Sequence, residues 1–183
     1  MESLSLLQDS AAKAVAEFLR SEQTTLLKVF TDVHPHQLAM ACNGAITGSA
    51  AKVAQLPTYV PLACSLARDM DICVGEEFMP LFQRIADIFP KESDFGDSSY
   101  PQCTEDDDPP EGATWKPPVV TYCSYKHMCN VDVFPLSSSS VDAVDIDGVR
   151  YVKLAVLLEC AKVWDREKDR HFLSFYDRMT RWI

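Results

Sequence analysis

Arg68-Asp69-Met70-Asp71-Ile72-Cys73-Val74, residues 68–74, alternates polar and apolar side chains and then turns apolar, the period-two signature of a β-strand. Successive side chains on a strand point to opposite faces, so Asp69 and Asp71 project together while Met70 and Ile72 point the other way. Two like charges held so close repel. They suit a solvated strand edge, or a site where a divalent cation neutralises them, and oxygen ligands at this spacing match Mg²⁺ or Mn²⁺. What else the chain brings to that strand decides between the two.

Upstream, Asn43 to Gln55 reads as a short strand, a Gly48-Ser49 turn and a short helix stopped by Pro57, an arrangement in which an anion can sit at the helix start. Downstream, residues 76–89 carry Phe78, Leu81, Phe82, Ile85, Ile88 and Phe89 at helical spacing. Val119 to Tyr125 and His127 to Leu136 read as extended segments, and the second places a third carboxylate, Asp132, between Val131 and Val133. Asp147-Gly148 between two short apolar runs is a hairpin turn that needs positive φ. Helical segments follow at about 153–164 and 166–182. At the front, residues 3–20 form an amphipathic helical stripe, and a second helical stretch through Val33 ends near Pro35, with His34-Pro35-His36 as a helix end.

The expected class is α/β (α+β), a small mixed sheet with packed helices. One domain is expected over residues 1–183: N-terminal helices at 1–39, a sheet-bearing core at 40–136 interrupted by a loop at 91–118, and a hairpin with C-terminal helices at 137–183.

The 183 residues are 47% hydrophobic, 24% charged and 10% aromatic, the make-up of a compact soluble chain. There is no transmembrane run and no signal-peptide stretch, and seven cysteines, an odd number, fit a reduced, cytoplasmic protein. The net charge of -10 is concentrated, because residues 92–115 hold eight acids and no base. From Arg150 onward eight Arg and Lys face five acids, so a phosphate-bearing ligand is compatible with the charge. An RNA ligand would need a basic surface, which only this tail offers. Cys123, His127 and Cys129 are spaced loosely like zinc ligands but lack a fourth ligand and paired short spacings. Trp164, Phe172, Phe175, Tyr176 and Trp182 fall at helical spacing and read as core.

Thr47-Gly48-Ser49, then Asp69-Met70-Asp71 between apolar residues, then Val131-Asp132-Val133 resemble, in order, the pattern of nucleotidyltransferases with the DNA polymerase β type fold. The likeness spans about residues 40–136, with a spacer from Ser49 to Asp69 longer than the family's. The tail, with Lys162, Arg166, Lys168 and Asp169, looks like the basic segment of minimal nucleotidyltransferases found among resistance enzymes and abortive-infection toxins. The resemblance implies that Asp69, Asp71 and Asp132 hold Mg²⁺ or Mn²⁺. It implies that Gly48 and Ser49 meet the phosphates of an NTP, with Lys168 the preferred further contact and Lys52, Lys162 and Arg166 the others. A solvated basic face is the alternative for Lys162, Arg166 and Lys168. The implied reaction moves a nucleoside monophosphate onto a hydroxyl acceptor: a small molecule, which the acidic loop favours if cationic, an RNA end or a protein. The rival is a non-catalytic relative that binds nucleotide or a protein partner.

Overall fold

The computed structural model describes residues 33–62, 69–91, 120–136 and 142–181. The helices expected at 3–20 and before Val33, the acidic loop beyond Lys91, the Ser137 to Ser140 tract and Trp182 lie outside the described residues. Within them, one six-stranded mixed sheet is packed by five α-helices, as an α+β chain should be. The strands are β1 (Ala45–Ile46), β2 (Asp69–Gly75), β3 (Val120–Ser124), β4 (Cys129–Leu136), β5 (Ala143–Ile146) and β6 (Val149–Val152). The helices are α1 (Pro35–Ala41), α2 (Gly48–Gln55), α3 (Met79–Ile88), α4 (Leu154–Trp164) and α5 (Glu167–Thr180). None of these helices is long and apolar enough to cross a membrane.

The sheet order is β3-β4-β2-β1-β6-β5. β2 runs parallel to β4 and β1 parallel to β6, and the other neighbours are antiparallel. Alternation along the central strands sorts side chains between two cores. Ile72, Val74, Val131 and Val133 point into one with α1 and α3, where Leu38, Leu81, Phe82 and Ile85 are fully buried. Cys73 points into the other, with Ala51 of α2, Leu157 and Ala161 of α4 and Phe172 of α5. Each large apolar side chain buried this way contributes about 1.5–3 kcal/mol relative to exposure. By the same period, Asp71 and Asp132 lie on the face that carries α2, α4 and α5.

Two local expectations change and a third holds. His34-Pro35-His36 opens a helix instead of ending one: Pro35 takes the first position of α1, where its missing N–H is no loss, and His34 is the N-cap. The helical period at 76–89 divides into a 3₁₀ turn, Glu76–Phe78, and α3, with Pro80 in the first turn of α3. The hairpin turn at Asp147-Gly148 forms as read, with φ of 50° and 78°. Cys42, Cys73, Cys123, Cys129 and Cys160 are free thiols.

Gln55 locks the sheet to the C-terminal helices. Its side-chain amide donates to the carbonyls of Ala51 (3.0 Å) and Val152 (2.8 Å), and its carbonyl accepts the otherwise orphaned N–H of Leu154 at the start of α4 (2.8 Å).

Candidate active site

The parallel register of β2 and β4 sets Asp71 directly beside Asp132 and Asp69 beside Asn130. Neighbouring strands lie about 4.8 Å apart, so two carboxylates on one face at paired positions are forced together. The antiparallel register of β3 brings Thr121 to the other side of Asp132, and its hydroxyl donates to Asp132 Oδ1 at 2.7 Å. Burial first and Asp132 second push the Asp71 carboxyl up to about 6, with Lys168 opposing. Asp69 is raised as well, by burial and then Asp132, against Lys91 and a hydrogen bond from Asn130.

A cleft of about 430 Å³ opens in front of this pair. Asp71, Asp132 and Thr121 form its floor, Gly48, Ser49 and Lys52 of α2 one wall, and Trp164, Arg166 and Lys168 at the α4–α5 junction another. The backbone N–H of Thr47 donates to the carbonyl of Asp71 at 2.9 Å, which extends β1 and aims the start of α2 at the floor. Gly48 has φ of 60°, and a Cβ there would lie 1.8 Å from Asp71 Oδ2. Only glycine meets both demands. Gly48→Ala is therefore expected to displace the Asp71 carboxylate and to destabilise the protein by about 1–3 kcal/mol, read as a lower melting temperature with an unchanged far-ultraviolet spectrum.

Two of the cationic side chains are held from behind. Asp169, 1% exposed, accepts from Arg166 Nε at 2.7 Å through Oδ2 and from Lys52 Nζ at 3.4 Å through Oδ1. Lys52 Nζ also lies 4.4 Å from the centre of the Phe172 ring. Burial pulls the Lys52 ammonium below its ordinary value and Asp169 opposes that. Lys52 is thus in part a strut between α2 and α5, and Arg166, stacked at 4.6 Å on the Trp164 ring, and Lys168 are the cations presented to the cleft beside it.

Of the residues singled out in the sequence, Gly48, Ser49, Lys52, Asp71, Asp132, Arg166 and Lys168 meet at this cleft. Asp69 is exposed at its margin and borders the adjoining depression. Lys162 is exposed on α4 and does not line the cleft, because Ala161 and Trp164 take the inward positions of that turn. Trp164, expected in the core, forms part of the cleft wall, whereas Phe172 is fully buried. Thr121, Lys91 and Phe134 also line the cleft. Thr121 has no motif of its own and is found only through its register with Asp132.

The donor set at the floor is hard carboxylate oxygen with its charges uncompensated by one another, and a glycine leaves room above it. This fits a small divalent cation. Among the described residues no group of three or more His, Cys, Asp or Glu is placed so that it could hold a metal ion. Asp71 and Asp132, fixed by register, would reach a common ion by side-chain rotation. Comparison with protein-family models, curated proteins and solved structures finds no match to this chain. The chemistry of the site therefore rests on its own residues.

Proposed function

We propose that the protein is a metal-dependent nucleotidyltransferase, transferring a nucleoside monophosphate from an NTP to a hydroxyl acceptor. The observation that carries this reading is the registered pair Asp71 and Asp132 facing the Gly48-Ser49 helix start across a cleft with Lys52, Arg166 and Lys168. Such a transfer asks for positioning and charge compensation more than for covalent help from the protein. Asp69, Asp71 and Asp132 would hold Mg²⁺ or Mn²⁺, which when bound neutralises charge on the attacking and leaving oxygens.

The residues divide the remaining work. The N–H groups at the start of α2 and the Ser49 hydroxyl bind phosphate oxygens, and Gly48 lets that backbone come close. Arg166 and Lys168 balance the charge of the departing pyrophosphate. The acceptor oxygen bonds to the α-phosphorus as the bond to pyrophosphate breaks. Its proton passes to Asp132, which the Thr121 hydroxyl holds in orientation.

The deciding experiment is incubation with α-labelled NTPs, Mg²⁺ or Mn²⁺ and a cell extract. The expected result is label on an acceptor with release of pyrophosphate, abolished by chelator. Absence of transfer together with absence of any NTP-dependent thermal shift refutes the proposal; a metal-dependent shift without transfer favours a nucleotide-binding protein instead.

The pH dependence of stability follows from Asp71. Its folded value of about 6 lies above the ordinary 3.8, so its stabilising contribution is full below pH 3.8 and lost as pH rises through about 6. In chelator, Asp71→Asn should accordingly raise stability at pH 7 on the order of 2 kcal/mol, with the gain vanishing towards pH 4. Thermal melts across that range check this, and added Mg²⁺ should stabilise the wild type more than the variant.

A further inference from the structure

The start of α1 and the 3₁₀ turn Tyr125–His127 between β3 and β4 bring three histidines together near Asp69. The ring centroids of His34 and His36 are 4.3 Å apart, and those of His34 and His127 are 4.6 Å apart. Nδ1 of His34 and Nδ1 of His36 lie 2.6 Å from each other, which requires one ring to donate to the other. Nε2 of His127 is buried with no hydrogen-bond partner. A buried polar atom left unpaired costs about 1–3 kcal/mol, so its presence needs a reason. A depression of about 500 Å³ adjoins two of the rings, His34 and His127, and is lined also by Cys129 and Asp69; His36 lies behind His34 and does not border it.

We infer that His34, His36 and His127 form a site for one transition-metal ion of the Zn²⁺ class, separate from the carboxylate cleft. Three imidazoles with a fourth position open to water are a known zinc donor set, and nitrogen donors select Zn²⁺ over Mg²⁺. Burial first, and then the neighbouring rings, lower His34 to about 4 and lower His36, a shift towards the uncharged form that ligates metal. As they stand, the three rings do not form a group that could hold an ion, so binding requires them to move. Binding replaces the shared hydrogen bond between His34 and His36: the donor ring moves its proton to Nε2, both Nδ1 atoms turn to the ion, and His127 Nε2 gains its missing partner. The bound ion ties α1 to the turn that leads into β4. In the sequence Cys123, His127 and Cys129 lack a fourth ligand and paired short spacings; in the fold His34, from a segment some ninety residues earlier, lies beside His127.

The test uses chelator-stripped full chain carrying Asp71→Asn and Asp132→Asn, which removes the two carboxylates of the cleft floor and leaves Asp69 of the proposed Mg²⁺ set in place. Calorimetric titration should show one Zn²⁺ per chain and no Mg²⁺ binding. His127→Gln, and His34→Asn, which keeps a capping acceptor at the start of α1, should each weaken Zn²⁺ at least about 10-fold while circular dichroism is unchanged. Unaltered Zn²⁺ affinity in the histidine variants, or no Zn²⁺ binding in their parent, overturns the inference. If the aspartate variant does not fold, Co²⁺ added to the wild type and to His127→Gln reads the same ligands. Visible bands of a nitrogen-rich site lost in the variant support the site, and identical spectra overturn it. Because nucleotide transfer is not the readout, failure here leaves the proposed reaction standing, and the converse holds.

Discussion

Asp71→Asn and Asp132→Asn are each expected to lower label transfer by about 10³-fold while the protein stays folded. Both carboxylates stand on the cleft floor at paired positions of β2 and β4, so either substitution removes one of the two acids that line the cleft. Asparagine keeps the shape, and at Asp71 it relieves a repulsion, so lost activity with equal or higher melting temperature separates a chemical role from a structural one. Asp69→Asn should cost less, on the order of 10- to 100-fold, because Asp69 is exposed at the margin and is already held by Asn130. Initial rates of transfer for the three variants, measured at equal folded concentration, give the ranking. Equal rates for wild type and Asp71→Asn would remove the mechanism.

The largest loss of stability is expected at Asp169. Its two oxygens bind Lys52 and Arg166 with almost no exposure, and removing it in Asp169→Ala leaves the Lys52 ammonium buried against Phe172 without its counter-charge. Breaking one side of such a pair costs about 3–5 kcal/mol, a fall in melting temperature of roughly 6–20 °C for a chain of this size. Lys52→Met should cost less, because Arg166 still satisfies Asp169 and the methionine side chain can stay on the Phe172 ring. The double variant should be less destabilised than the sum of the two by at least about 1 kcal/mol, a coupling that a thermodynamic cycle of chemical denaturation measures. An additive cycle would mean that the two side chains do not act as a pair.

Much of this was legible in the sequence because the decisive signals are local. Period-two alternation marked β2 and β4, the Asp147-Gly148 pair marked the β5–β6 turn, and helical spacing marked α3, α4 and α5. The convergence of Asp71, Asp132 and Gly48 was also accessible, since a strand and a small-residue helix start carry their chemistry at fixed positions. The support around them was not. Asp169 reads as one more acid on a charged helix until Lys52, 117 residues away, is folded onto it. Thr121 acquires its role only when an antiparallel register puts it across from Asp132. Lys162 and Trp164 exchange their expected surroundings because basic character and apolar character are compatible with either side of α4, and only the position of the sheet decides which side faces the cleft. Pro35 shows that proline marks a helix boundary without saying which end.

The pairing of Asp71 with Asp132 has a consequence for how this site tolerates change. Main-chain hydrogen bonds, not the span of connecting chain, index one acid against the other. A shift of β4 by two residues would bring Asn130 or Phe134 to the same address, and a shift by one would deliver Val131 or Val133 from the greasy side. Length variation between α3 and β3 is therefore invisible to the acids, whereas a single insertion inside either strand is fatal to them.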